Sequence, residues 1–179
     1  PATRAYHEIW LDEQPVAGTP EVEPLYGPTY LPRKFKAAFV LPPQNDVDIY
    51  AHDLGFVAIV VDGAVAGYNV LVGGGLGTTH GDARTYARAA SVLGYVPRGL
   101  EIEVAKAVLL AQRDLGNRSQ RHQARLKYTL ERLGVERFRA EVEAVVKDAG
   151  VELDRRRGRR GTNLRVPFQL PGQAHRDAE

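Results

Sequence analysis

The stretch FVAIVVDGAVAGYNVLV, residues 56–72, decides the fold class that the sequence predicts. Its two apolar runs, 56–61 and 64–72, are rich in β-branched residues that favour strands, and only Asp62 and Gly63 separate them. An Asp-Gly pair between two such runs is typical of a tight turn between antiparallel strands. The stretch therefore predicts a β-hairpin.

Upstream of this hairpin, the basic stretch YLPRKFK, residues 30–36, stands directly before the apolar run AAFVL, residues 37–41. Runs of this type are found in buried strands, and we predict a third strand over residues 35–41. Leu31 precedes a proline and favours extended backbone, so strand geometry should already be established where the basic residues begin.

The basic stretch has two interpretations. In an extended chain alternate side chains share a face, which places Lys34 and Lys36 together and turns Arg33 and Phe35 to the opposite face. Two ammonium groups on one face can converge on one small anion. Charge beside a buried strand is costly unless an opposite charge meets it, which favours such an anion. Alternatively, the lysines are solvated and protect an edge strand from aggregation.

Downstream of the hairpin, GGGLGTTHG, residues 73–81, is rich in glycine. Glycines after a strand allow backbone amides to approach a ligand closely, or they form a wide turn by which the chain leaves the sheet. The G-x-G-x-x-G spacing of nucleotide-binding loops is absent, and no Lys-Ser or Lys-Thr pair follows. We expect residues 82–93, which come next, to be partly helical.

The second half of the chain shows the periodicity of helices. Apolar residues recur at helical spacing over 100–115, 119–133 and 135–148, and a glycine directly follows each of the first two ranges. Strands followed by helices predict an α+β fold, in which a mainly antiparallel sheet from residues 35–72 packs against the C-terminal helices.

The two ends of the chain are less regular. Residues 4–11 are compatible with a strand or a short helix, and the proline-rich range 12–32 predicts a long irregular connection. DRRRGRRG, residues 154–161, contains arginines without apolar partners. We therefore expect one domain over residues 1–150 and a loose, Arg-rich tail over 151–179.

Composition excludes several classes of protein. The chain has 179 residues, of which 44% are hydrophobic and 26% charged, and a net charge of +2, as in ordinary globular proteins. It has no cysteine, so it can form neither a disulfide nor a thiolate metal site, and its 5 histidines lack metal-ligand spacing. No apolar run reaches the roughly 20 residues that cross a membrane.

Arg118, Arg121 and Arg125 lie at i, i+3 and i+7, the spacing of one helical face. Such a face can grip phosphates or carboxylates, which admits a nucleic-acid-binding module that also uses the arginines of 155–160. Few aromatic residues stand between these arginines, so stacking on bases has little support. A solvated helix face is the simpler interpretation.

A resemblance to a known family rests on PRKFKAAFVLPPQND, on YNVLVGGGLGTTHGDARTYARAASVLGYVP and on AQRDLGNRSQRHQARLKYTLERLGVERFRAEVE. These stretches resemble the siroheme nitrite and sulfite reductases, and within them the hemoprotein (β) subunits of assimilatory sulfite reductases. The resemblance extends over about residues 4–145 without a large gap.

The resemblance implies a central fragment of a cytoplasmic enzyme that carries out the six-electron reduction of sulfite to sulfide in sulfur assimilation. It implies two cofactors in the intact enzyme, siroheme and a 4Fe-4S cluster. The electron donor would be a flavoprotein subunit or ferredoxin, and no membrane would be involved. Since this chain lacks cysteine, the cluster ligands are absent from it, and we expect the chain alone to be inactive.

The resemblance also assigns residues. Lys34 and Lys36 would be catalytic, holding the anionic substrate in the distal siroheme pocket. Arg33 and Arg125 would bind siroheme carboxylates, although relatives usually have lysine at the position of Arg125. The glycine run of the family, with a cofactor-binding or purely structural role, matches Gly73, Gly74 and Gly75.

Two departures keep alternatives open. The chain lacks the N-terminal half of the family, and its tail no longer resembles the family. Plant-type nitrite reductases usually have asparagine at the position of Lys36, so a lysine favours sulfite as substrate, with a nitrite reductase fragment as the alternative. A nucleic-acid-binding module and a non-catalytic remnant are the remaining hypotheses.

Overall fold

The computed structural model describes residues 9–12, 14–17 and 23–147. These ranges contain six strands and three α-helices. Short 3-10 turns lie at Ile49–Ala51 and Arg121–Gln123. The strands are β1 (Ile9–Leu11), β2 (Gln14–Ala17), β3 (Ala37–Val40), β4 (Leu54–Val61), β5 (Ala64–Val72) and β6 (Ser91–Pro97). The helices are α1 (Glu101–Leu115), α2 (Leu126–Leu133) and α3 (Val135–Lys147). The prediction of a loose tail over 151–179 lies outside the described residues.

The main sheet has four strands in the order β3-β4-β5-β6. β4, β5 and β6 are antiparallel neighbours, whereas β3 pairs with β4 in parallel, with Ala37 opposite Leu54. The parallel pair is possible because the chain crosses back between β3 and β4 through the 3-10 turn Ile49–Ala51. The predicted α+β fold with a mainly antiparallel sheet is confirmed, and the sheet is mixed at one edge.

One face of the main sheet packs against all three helices. Aromatic and β-branched side chains of β4 and β5 alternate towards this face, as a half-buried sheet requires. A second, smaller cluster on the other face includes Ile49 of the 3-10 turn. The main cluster contains Leu54, Phe56, Val70, Val72, Leu93, Val96, Val104, Ala107, Val108, Ala111, Leu126, Leu130, Phe138, Val142 and Val146.

The hairpin between β4 and β5 turns at Asp62 and Gly63, as predicted, and both residues have positive φ, at 50° and 78°. We expect Gly63→Ala to lower the free energy of unfolding by about 1 kcal/mol, because a Cβ disfavours this left-handed backbone. Denaturant unfolding of the chain checks this. Gly77→Ala is the matched control, because a Cβ at Gly77 meets open space and its φ is not positive. Equal stability of the two variants would contradict the expectation.

Two predicted helical ranges are corrected. Residues 82–93 are not helical: Thr85 Oγ1 donates to the Asp82 carbonyl at 2.9 Å and accepts from Thr79 N–H at 2.7 Å, which holds a series of turns, and β6 begins at Ser91. The second helix begins at Leu126 rather than at residue 119. In residues 82–93, the turn hydrogen bonds and the pairing of β6 with β5 outweighed a weak helical pattern.

The helix prediction over 119–133 failed at its start because Asn117 forms an Asx turn. Its side-chain oxygen accepts hydrogen bonds from the N–H groups of Ser119 and Gln120, each at 3.0 Å.

The prediction of a long irregular connection over 12–32 is wrong in part, since β2 pairs with β1. Of the two possibilities for 4–11, the described residues form the strand β1.

Candidate functional site

The basic stretch lies in irregular chain immediately before β3. Lys34 and Lys36 are exposed, whereas Arg33 and Phe35 are half-buried, so the side chains alternate as the sequence predicted. Phe35 packs against the main apolar cluster and anchors the stretch from that side. Both lysine ammonium groups are therefore presented away from the core.

These cations have no internal counter-ion in the described part of the chain. The side chains of Arg33, Lys34 and Lys36 form no hydrogen bond or ion pair with any described residue. A lysine ammonium is a strongly hydrated point charge with three donors, so it can exchange water for a small anion without breaking a protein contact. The stretch therefore has the free charge that an anion-binding surface needs.

A buried carboxylate, Asp53, lies beside the basic stretch. Its side chain is 1% exposed, and Arg125 Nη2 donates to both of its oxygens at 3.1 Å. The backbone N–H of Lys36 donates to Asp53 Oδ2, also at 3.1 Å. Asp53 thus connects the basic stretch with Arg125, two parts of the chain that sequence analysis could only consider separately.

The backbone around Asp53 is also fixed. Leu54 N–H donates to the Lys36 carbonyl at 3.0 Å, as the first contact of the parallel β3–β4 pair. Gly73 N–H donates to the Asp53 carbonyl at 2.8 Å, and Gly74 N–H donates to the His52 carbonyl at 2.9 Å. These bonds bring the start of the glycine run to the same place.

The glycines pack against the chain itself. A Cβ on Gly74 would lie 2.2 Å from the carbonyl oxygen of Tyr50, and a Cβ on Gly75 would lie 2.9 Å from the guanidinium nitrogens of Arg125. Larger residues at these two positions would displace backbone or the arginine. This close packing is a structural reason for glycine, and a contact of the run with a cofactor stays a prediction.

A buried lysine, Lys127, holds the loop after the glycine run. Its side chain is buried, and Nζ donates to the carbonyls of Gly75 at 3.1 Å, Gly77 at 2.8 Å and Tyr86. Nζ also lies 4.9 Å from the ring centroid of Tyr128. Burial lowers the pKa of Lys127 below its ordinary value of 10.5, and nearby Arg125 lowers that pKa further, while Asp53 raises it.

The arginines proposed as a nucleic-acid-binding face do not form one. Arg118 lies before the second helix and donates to the carbonyls of Thr29 at 3.1 Å and Tyr30 at 2.6 Å, which supports the loop that leads into the basic stretch. Arg125 is committed to Asp53, and its side chain is only 15% exposed. The helical register that would align these residues does not exist, so the geometry does not support this part of the hypothesis, and the arginines of 155–160 lie outside the described residues.

The structure thus brings together Lys36, Arg125, Gly74 and Gly75 around Asp53. Arg33 and Lys34 belong to the same stretch but form no hydrogen bond or ion pair with these side chains in the described residues. Asp53 and Lys127 were missed as site residues. The signal for Asp53 was a charge directly before an apolar strand, but its partner Arg125 lies 72 positions away in sequence.

The two cofactors that the family resemblance implies fit this chain differently. A 4Fe-4S cluster does not fit, because the chain has no cysteine and the described ranges contain no group of three His, Asp or Glu residues placed for a metal. The carboxylates of siroheme fit better. Arg125 Nε is buried and has no hydrogen-bond partner among the described residues, which leaves a charged donor for an acceptor from outside this range.

A family model described as "Nitrite and sulphite reductase 4Fe-4S domain" matches residues 1–149. The sulfite reductase [NADPH] hemoprotein β-component of Dickeya chrysanthemi is 60% identical over 143 residues, which are 80% of this chain and 25% of the relative. The protein of the same name from Vibrio atlanticus is 53% identical over 176 residues, covering 98% of this chain and 28% of the relative.

Among solved structures, the NirA protein of Mycobacterium tuberculosis superimposes with a TM-score of 0.57 and 32% sequence identity. That match covers 69% of this chain and 21% of the NirA chain. This chain spans about a quarter of the length of the curated relatives that it matches, at 25% and 26% for two of them. None of the helices in the described residues is long and apolar enough to cross a membrane.

Proposed function

Because this chain belongs to the nitrite and sulphite reductase 4Fe-4S domain family, we propose that it forms the central, anion-binding segment of a siroheme-dependent sulfite reductase. The reaction is the reduction of sulfite to sulfide in sulfur assimilation. The observation that carries the proposal is the basic stretch: its cations have no counter-ion among the residues that the structure describes, and its backbone is tied through Asp53 to Arg125.

Lys34 and Lys36 are the proposed substrate-binding and catalytic residues. Sulfite carries up to two negative charges, and its reduction consumes protons as well as electrons. Exposed ammonium groups can pair with the anion and also deliver protons, which a guanidinium cannot do because it stays charged. Fixed cations next to a partly dry pocket stabilise negative charge more strongly than water does.

Arg33 and Arg125 are the proposed partners of siroheme carboxylates, through charge-assisted hydrogen bonds. Siroheme, when bound, would supply the iron centre at which the anion is reduced. The glycine run would bring the backbone close to the cofactor edge, and this chain would leave the 4Fe-4S cluster to cysteines elsewhere in the enzyme.

The proposed electron donor is the flavoprotein subunit that accompanies an NADPH-dependent hemoprotein, with ferredoxin as the alternative. The name of the Dickeya chrysanthemi relative, an NADPH-dependent hemoprotein, supports the first of these. We place the enzyme in the cytoplasm. Lys36, in place of the asparagine of plant-type nitrite reductases, supports sulfite over nitrite as the substrate.

A hybrid enzyme tests this function. In the hybrid, the matched segment of the Dickeya chrysanthemi hemoprotein is replaced by the corresponding residues of this chain, which are already 60% identical to it. We expect the hybrid to bind siroheme and to reduce sulfite to sulfide with a reduced dye as electron donor. A hybrid that carries siroheme but reduces only nitrite supports the nitrite reductase alternative, and one that reduces neither anion contradicts the proposal.

The isolated chain provides a separate prediction. We expect it to purify colourless and without iron, because it has no thiolate ligand and only part of a siroheme pocket. Iron analysis and the visible absorption spectrum check this. One iron per chain, together with a siroheme absorption band, would show that this segment holds the cofactor alone.

A further inference from the structure

We propose that Asp53 is a positioning residue for sulfite reduction, which holds Lys36 and Arg125 as one unit. The inference rests on the proposed function, because it assumes that Lys36 binds the anion and that Arg125 binds a siroheme carboxylate. Asp53 itself touches neither ligand: its side chain is buried, at 1% exposed, and acts through its two partners.

The hydrogen bonds of Asp53 divide between these partners. Oδ1 accepts from Arg125 Nη2 at 3.1 Å, and Oδ2 accepts both from Arg125 Nη2 and from the Lys36 N–H, each at 3.1 Å. Burial of a carboxylate is costly unless it is paired and hydrogen-bonded; Arg125 supplies the cation and the Lys36 N–H supplies a further donor. Arg125 and Lys36 form no hydrogen bond with each other, and Asp53 is the group that they share.

The consequence for Lys36 is a fixed main chain with a free side chain. The N–H of Lys36 donates to the Asp53 side chain, and the carbonyl of Lys36 accepts from the N–H of Leu54, the residue that follows Asp53. The peptide on each side of Lys36 is therefore set by residues 53–54, while the ammonium group remains exposed. The direction in which the lysine leaves the backbone, and so the volume in which its charge can meet an anion, depends on Asp53.

The consequence for Arg125 is orientation of its remaining donors. Nη2 is committed to Asp53, and the guanidinium rests against Gly75, where no Cβ intervenes. Nε is buried and lacks a partner in the described part of the chain. A planar guanidinium that is fixed at one nitrogen has the direction of its other donors fixed too, which prepares Arg125 for a carboxylate.

A purely structural role is the competing explanation, since any buried ion pair that is broken destabilises a protein. Kinetic coupling in the hybrid enzyme distinguishes the two. We expect Asp53→Asn to lower kcat/KM for sulfite about tenfold, mainly by raising KM, because a displaced Lys36 binds the anion less well. In a Lys36→Ala background, the same change should have an effect of less than about threefold, since the ammonium group that Asp53 positions is gone and only the effect through Arg125 remains.

Hydrogen–deuterium exchange of the hybrid supplies a readout that does not depend on turnover. Asp53→Asn should increase deuterium uptake in a peptide covering residues 33–40, with little change in a peptide covering residues 56–61 of β4. Asp82→Asn is the matched control. Asp82 is also an aspartate paired with an arginine, Arg84 at 2.8 Å, but it forms no hydrogen bond or ion pair with the basic stretch.

A second pair of variants keeps the test decisive if Asp53→Asn does not fold. Arg125→Lys preserves a cation beside Asp53 and should leave the uptake of 33–40 unchanged. Arg125→Gln leaves the carboxylate without its cation and should raise that uptake, although Arg125 does not contact Lys36. The shared carboxylate is the group that hydrogen-bonds directly to both Arg125 and Lys36, so it is the expected route of this effect.

Each result decides the inference. Coupled kinetics together with local uptake supports it. Effects of Asp53→Asn that are equal in the two backgrounds, or uptake that rises equally over 33–40 and 56–61, would overturn it and leave Asp53 as a residue of general stability. If the unsubstituted hybrid holds siroheme but does not reduce sulfite, the proposed function fails, and exchange alone decides whether Asp53 positions Lys36.

Discussion

Replacing Lys36 by alanine in the hybrid enzyme is expected to lower kcat/KM for sulfite about tenfold to a hundredfold. The loss corresponds to one charge-assisted contact with a partly desolvated anion, about 1.5–3 kcal/mol. Lys34→Ala should have a loss in the same range, because both ammonium groups are exposed and neither has an internal counter-ion among the described residues. Steady-state kinetics with a reduced dye measures both.

The siroheme content of these variants should not change, since the proposed partners of the cofactor carboxylates are Arg33 and Arg125. Absorbance of the heme in each purified variant checks this. Lys106→Ala is the matched control: Lys106 is an exposed lysine on α1 whose ammonium pairs with Glu103 at 2.9 Å, and its loss should leave turnover unaltered. If the Lys34 and Lys36 variants keep full sulfite turnover, the interpretation as a solvated edge is correct and their anion-binding roles must be withdrawn.

Lys36→Asn separates the two substrates. Asparagine removes the charge but keeps a hydrogen-bond donor, so nitrite, with a single negative charge, should lose less than sulfite. Both anions can be assayed with the same dye in the same preparation. An equal loss for the two anions would mean that Lys36 does not distinguish them by charge.

Replacing Lys127 by methionine is expected to lower the free energy of unfolding of the chain by about 3–5 kcal/mol. Methionine fills much of the same volume but donates no hydrogen bond, so the carbonyls of Gly77 and Tyr86 lose the donor that Lys127 supplies, and the Gly75 carbonyl keeps only the N–H of Arg88, at 3.0 Å. The cation that lies 4.9 Å from the Tyr128 ring is also lost. Denaturant unfolding at neutral pH measures the change.

Lys106→Met is the control, because it makes the same substitution at an exposed position and should cost well under 1 kcal/mol. If both variants are equally stable, water satisfies the three carbonyls and Lys127 does not hold the loop.

The pH dependence of the stability that Lys127 contributes has a defined sign. Since burial lowers the pKa of Lys127 below 10.5, the unfolded chain binds more protons in the window below 10.5, so the stability of the wild type relative to Lys127→Met should rise with pH there.

Much of the architecture follows from short-range sequence. The run 56–72 carries two strands and an Asp-Gly turn within itself, and the structure confirms all three elements. The helix after residue 100 ends before Gly116 and the next one before Gly134, as the sequence predicted. The alternation of exposed lysines with Arg33 and Phe35 was also predictable, because extended backbone has a period of two whatever lies around it.

The tertiary structure decided the contacts between distant parts of the chain. β6 exists because Ser91–Pro97 meets the free edge of β5, and its own sequence gave only a weak helical signal in part of this range. The parallel placement of β3 required the turn at Ile49–Ala51. Neither strand pairing can be predicted from a short stretch of sequence, since it depends on which sheet edge is available when the chain folds back.

The candidate site divides in the same way. By itself the sequence determined the charge and exposure pattern of the basic stretch, the absence of cluster ligands and the family of the chain. Only the tertiary structure joined Lys36 to Arg125, because the carboxylate of Asp53 must be buried before it needs both partners, and Arg125 comes from 72 positions away. Burial turns an ordinary aspartate into a required link, and burial is a property of the folded chain alone.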